Sequence, residues 1–395
     1  MLESVLSDLK VVDVTSMIAG PTMARFFAEL GANVIHVEPP RGDDGRNSGS
    51  AYLGREAPIF SASNRSKRGM VVDIKQHEGQ RILRRLARDA DLFVQNSPPG
   101  VMEKYGLGYE DLSRINPALV YVSISAWGAA GPLAASPGYD VLFQGFVGTM
   151  RKPSEDLPPH FNGSYGADPT APMLAAFAAM VALRRRDRTG VGAHVQTSLL
   201  EATMDNIATR LVLADAETEI ASASPGRALG GLGAFRCLDG DYAVICAWTD
   251  AQFQKLCQLA DLAHIADEPK YCGREGRIED GIALNEVLDN WTSTLGRTEL
   301  VAHLRSEGIP CAPVRGGGMR ELIEDPQIQA NGLITAIDHP TKGLMWFTSP
   351  AYTIDGERAA IRPAPMLGQH TDEVLREHGL SPGEIADLRS GGVVA

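Results

Sequence analysis

Short β-branched apolar runs separated by helical stretches mark the first two hundred or so positions of this chain. Val11, Val12 and Val14 form one run, Met23 to Leu30 reads as the helix behind it, and Gly31 stops that helix before a second run at Val34 to Val37. A strand, a helix and a strand in so short a span open a parallel α/β sheet, because parallel neighbours need a crossover between them. The pattern continues with strands at Met70 to Ile74, Leu92 to Val94 and Val120 to Ile124, and a helix at Gly79 to Ala87. Ligands of such sheets sit at the carboxyl ends of the strands, here residues 15–21, 38–46, 96–100 and 125–131.

Asp168–Pro169 then starts a helix, since proline suits a first turn. Thr170 to Leu183 is apolar all round and predicts a helix buried on every side. Arg184, Arg185 and Arg186 complement its C-terminal dipole. Val195 to Leu199 reads as a strand, and a further helix begins at Ser198. The texture changes near residue 216: Ala221 to Gly233 is rich in Ala, Ser and Gly and reads as a mobile segment. A smaller unit follows, with a strand pair around Phe235 to Trp248 turning at Asp239–Gly240, then helices to about Leu304, and Pro326 to Gly332 closing it. The tail holds a sheet-like stretch at Ala351 to Ile354 and a helix from Thr371.

Composition narrows the function classes. The 395 residues carry 37 basic and 49 acidic side chains, a formal charge of −12. That balance argues against nucleic-acid or anionic-membrane partners, which require a basic surface, but leaves room for a local cationic pocket. The longest uncharged apolar run, Ala171 to Leu183, falls short of the ~20 residues of a membrane span. The N-terminus lacks the basic-then-apolar order of a signal peptide. Five widely spaced cysteines, with no CxxC pair and no HExxH, predict neither a disulfide framework nor a metal site and fit a reducing cytoplasm.

The common nucleotide and hydrolase signatures are missing. There is no GxxxxGK[ST], no GxSxG, and no glycine fingerprint in the first loop, SMIAGPT. What the chain does carry is a series of longer blocks: VVDVTSMIAGPTMARFFAELGANVIHVEPPRGDDGR, NRSKRGMVVDI, NSPPGVMEKYGLGYEDL, RTGVGAHVQTSLLEA, GIPCAPV and PMLGQHTDEVL. In this order, over nearly the whole length, they resemble the class III CoA-transferases, a family that includes formyl-CoA and carnitine CoA-transferases.

The resemblance implies an α/β fold: a Rossmann-like, parallel-sheet large domain built from residues 1–215 and 331–395, and a smaller α+β domain over 216–330. It also implies a homodimer whose chains interlock. It makes Asp168, in GADPTAP, a nucleophile that forms an anhydride with the donor's acyl group and then a thioester with CoA. Read without the family, Asp168 is a helix cap worth about 1 kcal/mol. A carboxylate at a helix start is expected to be held ionised, while Pro169 removes a neighbouring donor. Tyr139 and Asp140 match a segment that faces the nucleophile, and Gly230 and Gly231, with Gly226 and Gly233, match a glycine flap. For coenzyme A, the resemblance gives Lys67, Lys104 and Arg46 as phosphate contacts, Met17 and Ile18 beside the thiol end, and Asn96 at a strand-end turn. Pro39 replaces an arginine found in some relatives. Read alone, the three cations are surface charges. Cys311 reads as a packed hydrophobe.

Substrates implied are an acyl-CoA donor, frequently succinyl-CoA in this family, and a small carboxylic acid acceptor. Two rivals stand beside this reading. One is a racemase of 2-methylacyl-CoA thioesters, against which Tyr139 counts: it stands where those enzymes carry a histidine, and a phenol, titrating at about pH 10, is a poor base. The other is a CoA-binding protein without catalysis, against which Asp168 counts.

Overall fold

In the computed structural model, which describes residues 2–48, 56–150, 157–161, 166–208, 229–316 and 318–395, the apolar runs of the first half become six strands. These are β1 (Lys10–Asp13), β2 (Asn33–Glu38), β3 (Arg68–Val71), β4 (Leu92–Gln95), β5 (Val120–Ser125) and β6 (Ala193–Ser198). They form one sheet in the order β3-β2-β1-β4-β5-β6, with every neighbouring pair parallel. The chain builds outward from β1 to β3, then returns to β4 on the other side of β1. That reversal opens a crevice beyond the carboxyl ends of β1 and β4, where ligands of such sheets bind.

Successive residues of a strand point to opposite faces, so Val11 and Val12 enter different cores. One core joins Val11, Val34, Val94 and Val122 to α1 (Ala19–Glu29) and to two later helices. Before those come α2 (Pro58–Asn64), α3 (His77–Arg88), α4 (Val101–Lys104), α5 (Tyr109–Ile115) and α6 (Asp140–Phe146). The two helices on the first core are α7 (Ala167–Thr189) and α8 (Leu199–Asn206). The other core joins Val12, Ile35, Phe93 and Tyr121 to α3, α5 and the C-terminal residues Val374, Leu375 and Val394. Burial on both faces explains why β4 is buried along its length and apolar up to Gln95.

The chain divides into two units, Met1–Val212 with Asn331–Ala395, and Leu213–Ala330. In the first, the C-terminal segment docks beside β3: Thr371 Oγ1 accepts the Val71 amide at 3.1 Å, and Val394 bridges Val72. In the second, β7 (Leu232–Arg236), β8 (Tyr242–Cys246) and β9 (Cys311–Pro313) form an antiparallel sheet in that order. Gly240, at φ 82°, makes the predicted turn between the first two.

Two expectations change. The helix read as buried on every side is α7, but one face only, led by Ala171, Ala175, Ala179 and Leu183, enters the core. Met173, Met180 and Val181 lie on the outside, and Phe177 is 71% exposed. Alanines at a spacing of four let the helix approach the sheet closely and turn the bulky side chains outward. Ala351 to Ile354 is not a strand; Ile354 makes only an isolated bridge to Glu357. The sheet element of the tail is instead the antiparallel hairpin Ile334–His339 with Gly343–Thr348.

Candidate active site

The sequence after β1 does not run straight into α1. Thr15 to Ile18 form a loop held at three points by side chains from three segments. Asp13 Oδ1 accepts the Thr15 amide at 3.1 Å. Asn96, just after β4, clasps Ser16 from both sides, accepting from its amide at 3.0 Å and donating to its carbonyl at 2.8 Å. Asp43 Oδ1 accepts the Met17 amide at 3.0 Å. The clasp therefore lies across the switch point between β1 and β4. Met17 is held at φ 71°, a conformation non-glycine residues adopt only when the surroundings impose it.

This loop walls a cavity of about 220 Å³. Ser16, Met17 and Ile18 form one side, Asn96 and Pro98 the next, Ser125 and Ala126 from the end of β5 the floor, and Ser136 to Tyr139 a further wall. Asp168 and Leu199 complete it from α7 and α8. α1 starts at this cavity without a side-chain cap, so the positive end of its dipole lies at the Met17–Ala19 wall. The 136–139 wall is fixed from behind. Trp127 Nε1 donates to the Pro137 carbonyl at 3.0 Å, and its ring meets Phe143 edge-on at 4.7 Å. Gly138 permits the approach, since a Cβ there would stand 2.7 Å from Ala126 Cβ and 2.8 Å from Phe143.

Asp168 lies in the first turn of α7, but it is not that helix's cap. Asp140 is. Its Oδ2 accepts the amides of Gly166, Ala167 and Asp168 at 2.7, 2.6 and 3.0 Å, and its Oδ1 accepts from Gln144 at 2.7 Å. The amides expected to hold Asp168 ionised are spent on Asp140 instead. The consequence for Asp168 is the reverse of that expectation: burial, with the Asp140 charge adding to it, pushes its carboxyl up to about 6. Pro169 removes no useful donor, because it is the third helical residue and the first-turn amides have no intrahelical acceptor. Asn206 on α8 buttresses the turn, donating to the Gly166 carbonyl at 3.0 Å.

Met17, Ile18, Asn96, Tyr139 and Asp168 thus come together around one cavity, with Asp140 directly behind. None of the three cations lines that cavity. Lys67 gives its ammonium to Asp13 at 2.7 Å, Asn64 Oδ1 at 2.7 Å and the Pro21 carbonyl at 2.8 Å. All three protons are used and the group is sealed from solvent. Arg46 forks onto Glu38 through two 2.7 Å bonds, reaches Glu56 at 2.6 Å and stacks over Phe60 at 3.5 Å. Expected as phosphate contacts, both have their charges neutralised inside the first unit and shape the loop from beneath. Lys104 remains exposed on α4.

Gly230 and Gly231 belong to the second unit and are packed there, not loose. Their amides go to the Arg277 carbonyl at 2.9 Å and to Asn285 Oδ1 at 2.8 Å, and a Cβ on Gly230 would stand 2.6 Å from Leu284. Gly233 lies in β7, and Gly226 is outside the described residues. Sequence reasoning missed Ser125, Trp127, Gly138 and Asn206. Of these, only the Trp127 and Gly138 pair left a trace, as a large aromatic and a glycine in a strand-end loop. No helix among the described residues is long and apolar enough to cross a membrane, and no cluster of metal-ligating side chains occurs among them.

Comparison with known proteins places this geometry. The family model described as CoA-transferase family III matches residues 6–371. The human succinyl-CoA:glutarate CoA-transferase is 31% identical over 98% of this chain and 90% of its own length. The formyl-CoA:oxalate CoA-transferase of Streptomyces coelicolor is 28% identical over the whole of both. Among solved structures, a CaiB/BaiF family protein from Brucella suis superposes with a TM-score of 0.80 at 30% identity, covering 95% of this chain and 99% of that one. With that span of matches behind the cavity and its carboxyl group, the chain is an enzyme belonging to CoA-transferase family III.

Proposed function

We propose that this enzyme moves coenzyme A from an acyl-CoA donor, succinyl-CoA being the first choice, to a small carboxylic acid acceptor, with Asp168 as the covalent nucleophile. The observation that carries the reading is the Asp168 carboxyl: it lines a cavity at the sheet's switch point, and burial beside Asp140 raises it to about 6. Such a group is largely ionised at neutral pH yet more basic than an ordinary aspartate, which suits attack on a thioester. The carboxylate adds to the thioester carbonyl and the carbon–sulfur bond breaks, giving a mixed anhydride and CoA thiolate. The thiolate attacks the Asp168 side-chain carbonyl, expels the donor acid as its carboxylate and leaves an aspartyl-CoA thioester. The acceptor carboxylate then runs the same two steps backwards. No proton is gained or lost and no metal is needed.

The volume of about 220 Å³ suits a small acyl group and the thiol end of CoA, with the nucleotide outside. The acids named for the relatives, succinate, glutarate, formate and oxalate, are of that size. Met17 and Ile18 wall the reacting end, and Tyr139 lines the same cavity as Asp168. The working form in this reading is a homodimer. Support comes from the outward face of α7, where Met173, Phe177 and Met180 share a pocket rim with Phe26 and Tyr352 immediately beside Pro169.

The test is chemical trapping. Protein incubated with succinyl-CoA is treated with hydroxylamine, which converts an activated carboxyl to a hydroxamate, or with borohydride, which reduces the thioester to an alcohol. Both mass changes are expected on the peptide containing Asp168 and are expected to vanish in Asp168→Asn. A folded Asp168→Ala protein transferring CoA at the wild-type rate overturns the mechanism.

A further inference from the structure

Beneath the Met17 loop lies a sealed set of charges that the transfer chemistry does not use. His36, on β2, is fully buried. Its Nδ1 is 2.9 Å from Asp13 Oδ2, which also takes the Lys67 ammonium at 2.7 Å. Its Nε2 is 3.4 Å from Asp43 Oδ2, and both of those atoms are buried with no hydrogen-bond partner. The other oxygen of Asp43 accepts the Met17 amide at 3.0 Å and the Gly45 amide at 2.7 Å. The Asp43 amide in turn donates to Glu38, the partner of Arg46. The Phe60 ring, 5.9 Å away and itself covered by Arg46, closes the remaining side of the imidazole.

The charges facing His36 are Asp13, Asp43 and Lys67. Two carboxylates and one ammonium leave an excess negative charge among side chains closed off from the surface, and burying an unbalanced charge is costly. A protonated imidazole restores neutrality and supplies an N–H toward each carboxylate; a neutral one can serve only one of them. Burial disfavours the cation, but Asp13 and then Asp43 outweigh it and push the imidazole up to about 9. Met17 needs the help. Its left-handed backbone is held through its amide by Asp43, and the far oxygen of Asp43 faces His36 Nε2 at 3.4 Å.

We infer that His36 is a positioning residue for the transfer site: carried as an imidazolium between Asp13 and Asp43, it holds Asp43 in place and, through it, the strained Met17 backbone at the cavity wall. The inference rests on the reading of that cavity as the place where the thioester reacts. The chain of contacts is Lys67, Asp13, His36, Asp43, Met17; its first four members are buried, and it ends at the cavity wall.

The test separates the clamp from the chemistry. In ¹⁵N-histidine-labelled protein without substrate, one imidazole signal, perturbed in Asp43→Asn, is expected to carry both ring protons through pH 8. In His36→Asn, hydrogen exchange at the Met17 amide is expected to quicken by about tenfold or more. With acyl-CoA present, that variant is expected to lose kcat by about tenfold or more with a smaller change in KM, because a displaced wall misaligns the reacting groups more than it weakens binding. His36→Asn and Asp43→Asn combined are expected to cost no more than the worse of the two, since both break one chain of contacts. A neutral His36 at pH 7.5, or a Met17 amide as protected in His36→Asn as in the wild type, overturns the inference. If His36→Asn does not fold, the wild-type titration and the Asp43→Asn variant still decide it. The resonance and exchange measurements use no substrate, so they stand or fall independently of the proposed transfer chemistry.

Discussion

Two pairs of aspartates, one on each side of the same loop, are treated in opposite ways. Asp13 and Asp43 are each matched by a cation, with Lys67 and His36 filling the space between them. Asp140 and Asp168 have no cation in contact among the described residues. Asp140 is satisfied by three backbone amides, and Asp168 is left to face the cavity. The first pair is held well below the usual carboxylate range at Asp13, and lowered at Asp43. In the second, Asp168 is raised to about 6. The contrast teaches how one residue type becomes scaffold in one place and reagent in another. Countercharges remove reactivity, while a like charge and partial burial preserve it.

Breaking the balanced pair is expected to give the largest effect. Lys67→Met removes the one ammonium from a sealed site and leaves Asp13 unmatched there except by His36. Loss of one partner of a buried pair costs about 3–5 kcal/mol, so the midpoint of denaturant unfolding should fall steeply at pH 7. A variant as stable as the wild type would mean that water or another cation replaces Lys67, and the site would no longer count as sealed.

Altering the unbalanced pair is expected to act on rate more than on stability. Asp140→Asn keeps an oxygen to accept the α7 amides but removes the charge beside Asp168. Burial still raises Asp168, so the acid limb of kcat/KM, expected near pH 6 in the wild type, should move down only part of the way toward the ordinary aspartate value. We expect kcat at pH 7.5 to fall about tenfold as the turn loosens and the nucleophile becomes less basic. An acid limb that stays in place would mean that burial alone sets the Asp168 value.

The contrast between the pairs was only half legible in the sequence. The strands, their order of appearance, the start of α7 and the place of Asp168 all followed from local signals: β-branched runs, an Asp-Pro start, and family blocks that lie side by side in the chain. What the charges do did not follow. Lys67 and Asp13 lie 54 positions apart, and Asp140 caps a helix that starts 27 positions later. Nothing in residue spacing tells whether an ammonium is sealed or solvated, because that depends on which strands become neighbours. The same blindness explains α7, whose alanine stripe looked like part of a uniformly apolar helix until the sheet selected one face.

A smaller effect concerns stability and has a definite sign. A carboxyl whose pKa is higher folded than unfolded binds protons more tightly in the native state. Stability is therefore lost as pH rises from the ordinary aspartate value, about 4, to about 6, and the loss is complete above that. Asp168→Asn is spared this. At pH 7.5 it should be more stable than the wild type by about 1–2 kcal/mol, a range reduced because the group is half exposed, and at pH 4 the two should nearly coincide. Equal stability at both pH values would mean that the Asp168 carboxyl is not raised in the folded protein. Active residues that destabilise their own fold are expected where the environment is arranged for chemistry.

The smallest expected effect falls on the remaining cation. Lys104 is exposed on α4, which follows the β4 end that carries Asn96, and no buried acid consumes its charge as Lys67 and Arg46 are consumed. On a chain of charge −12, an approaching CoA polyanion meets general repulsion that one surface ammonium reduces locally. Lys104→Glu should raise KM for an acyl-CoA about threefold at low salt, a surface-pair effect of roughly 0.6 kcal/mol, and leave kcat unchanged. At ~0.5 M salt, screening should shrink the difference to within error. A KM unaffected at low salt would place the nucleotide elsewhere and return Lys104 to the solvated surface, while a loss of tenfold or more would mean a direct phosphate contact.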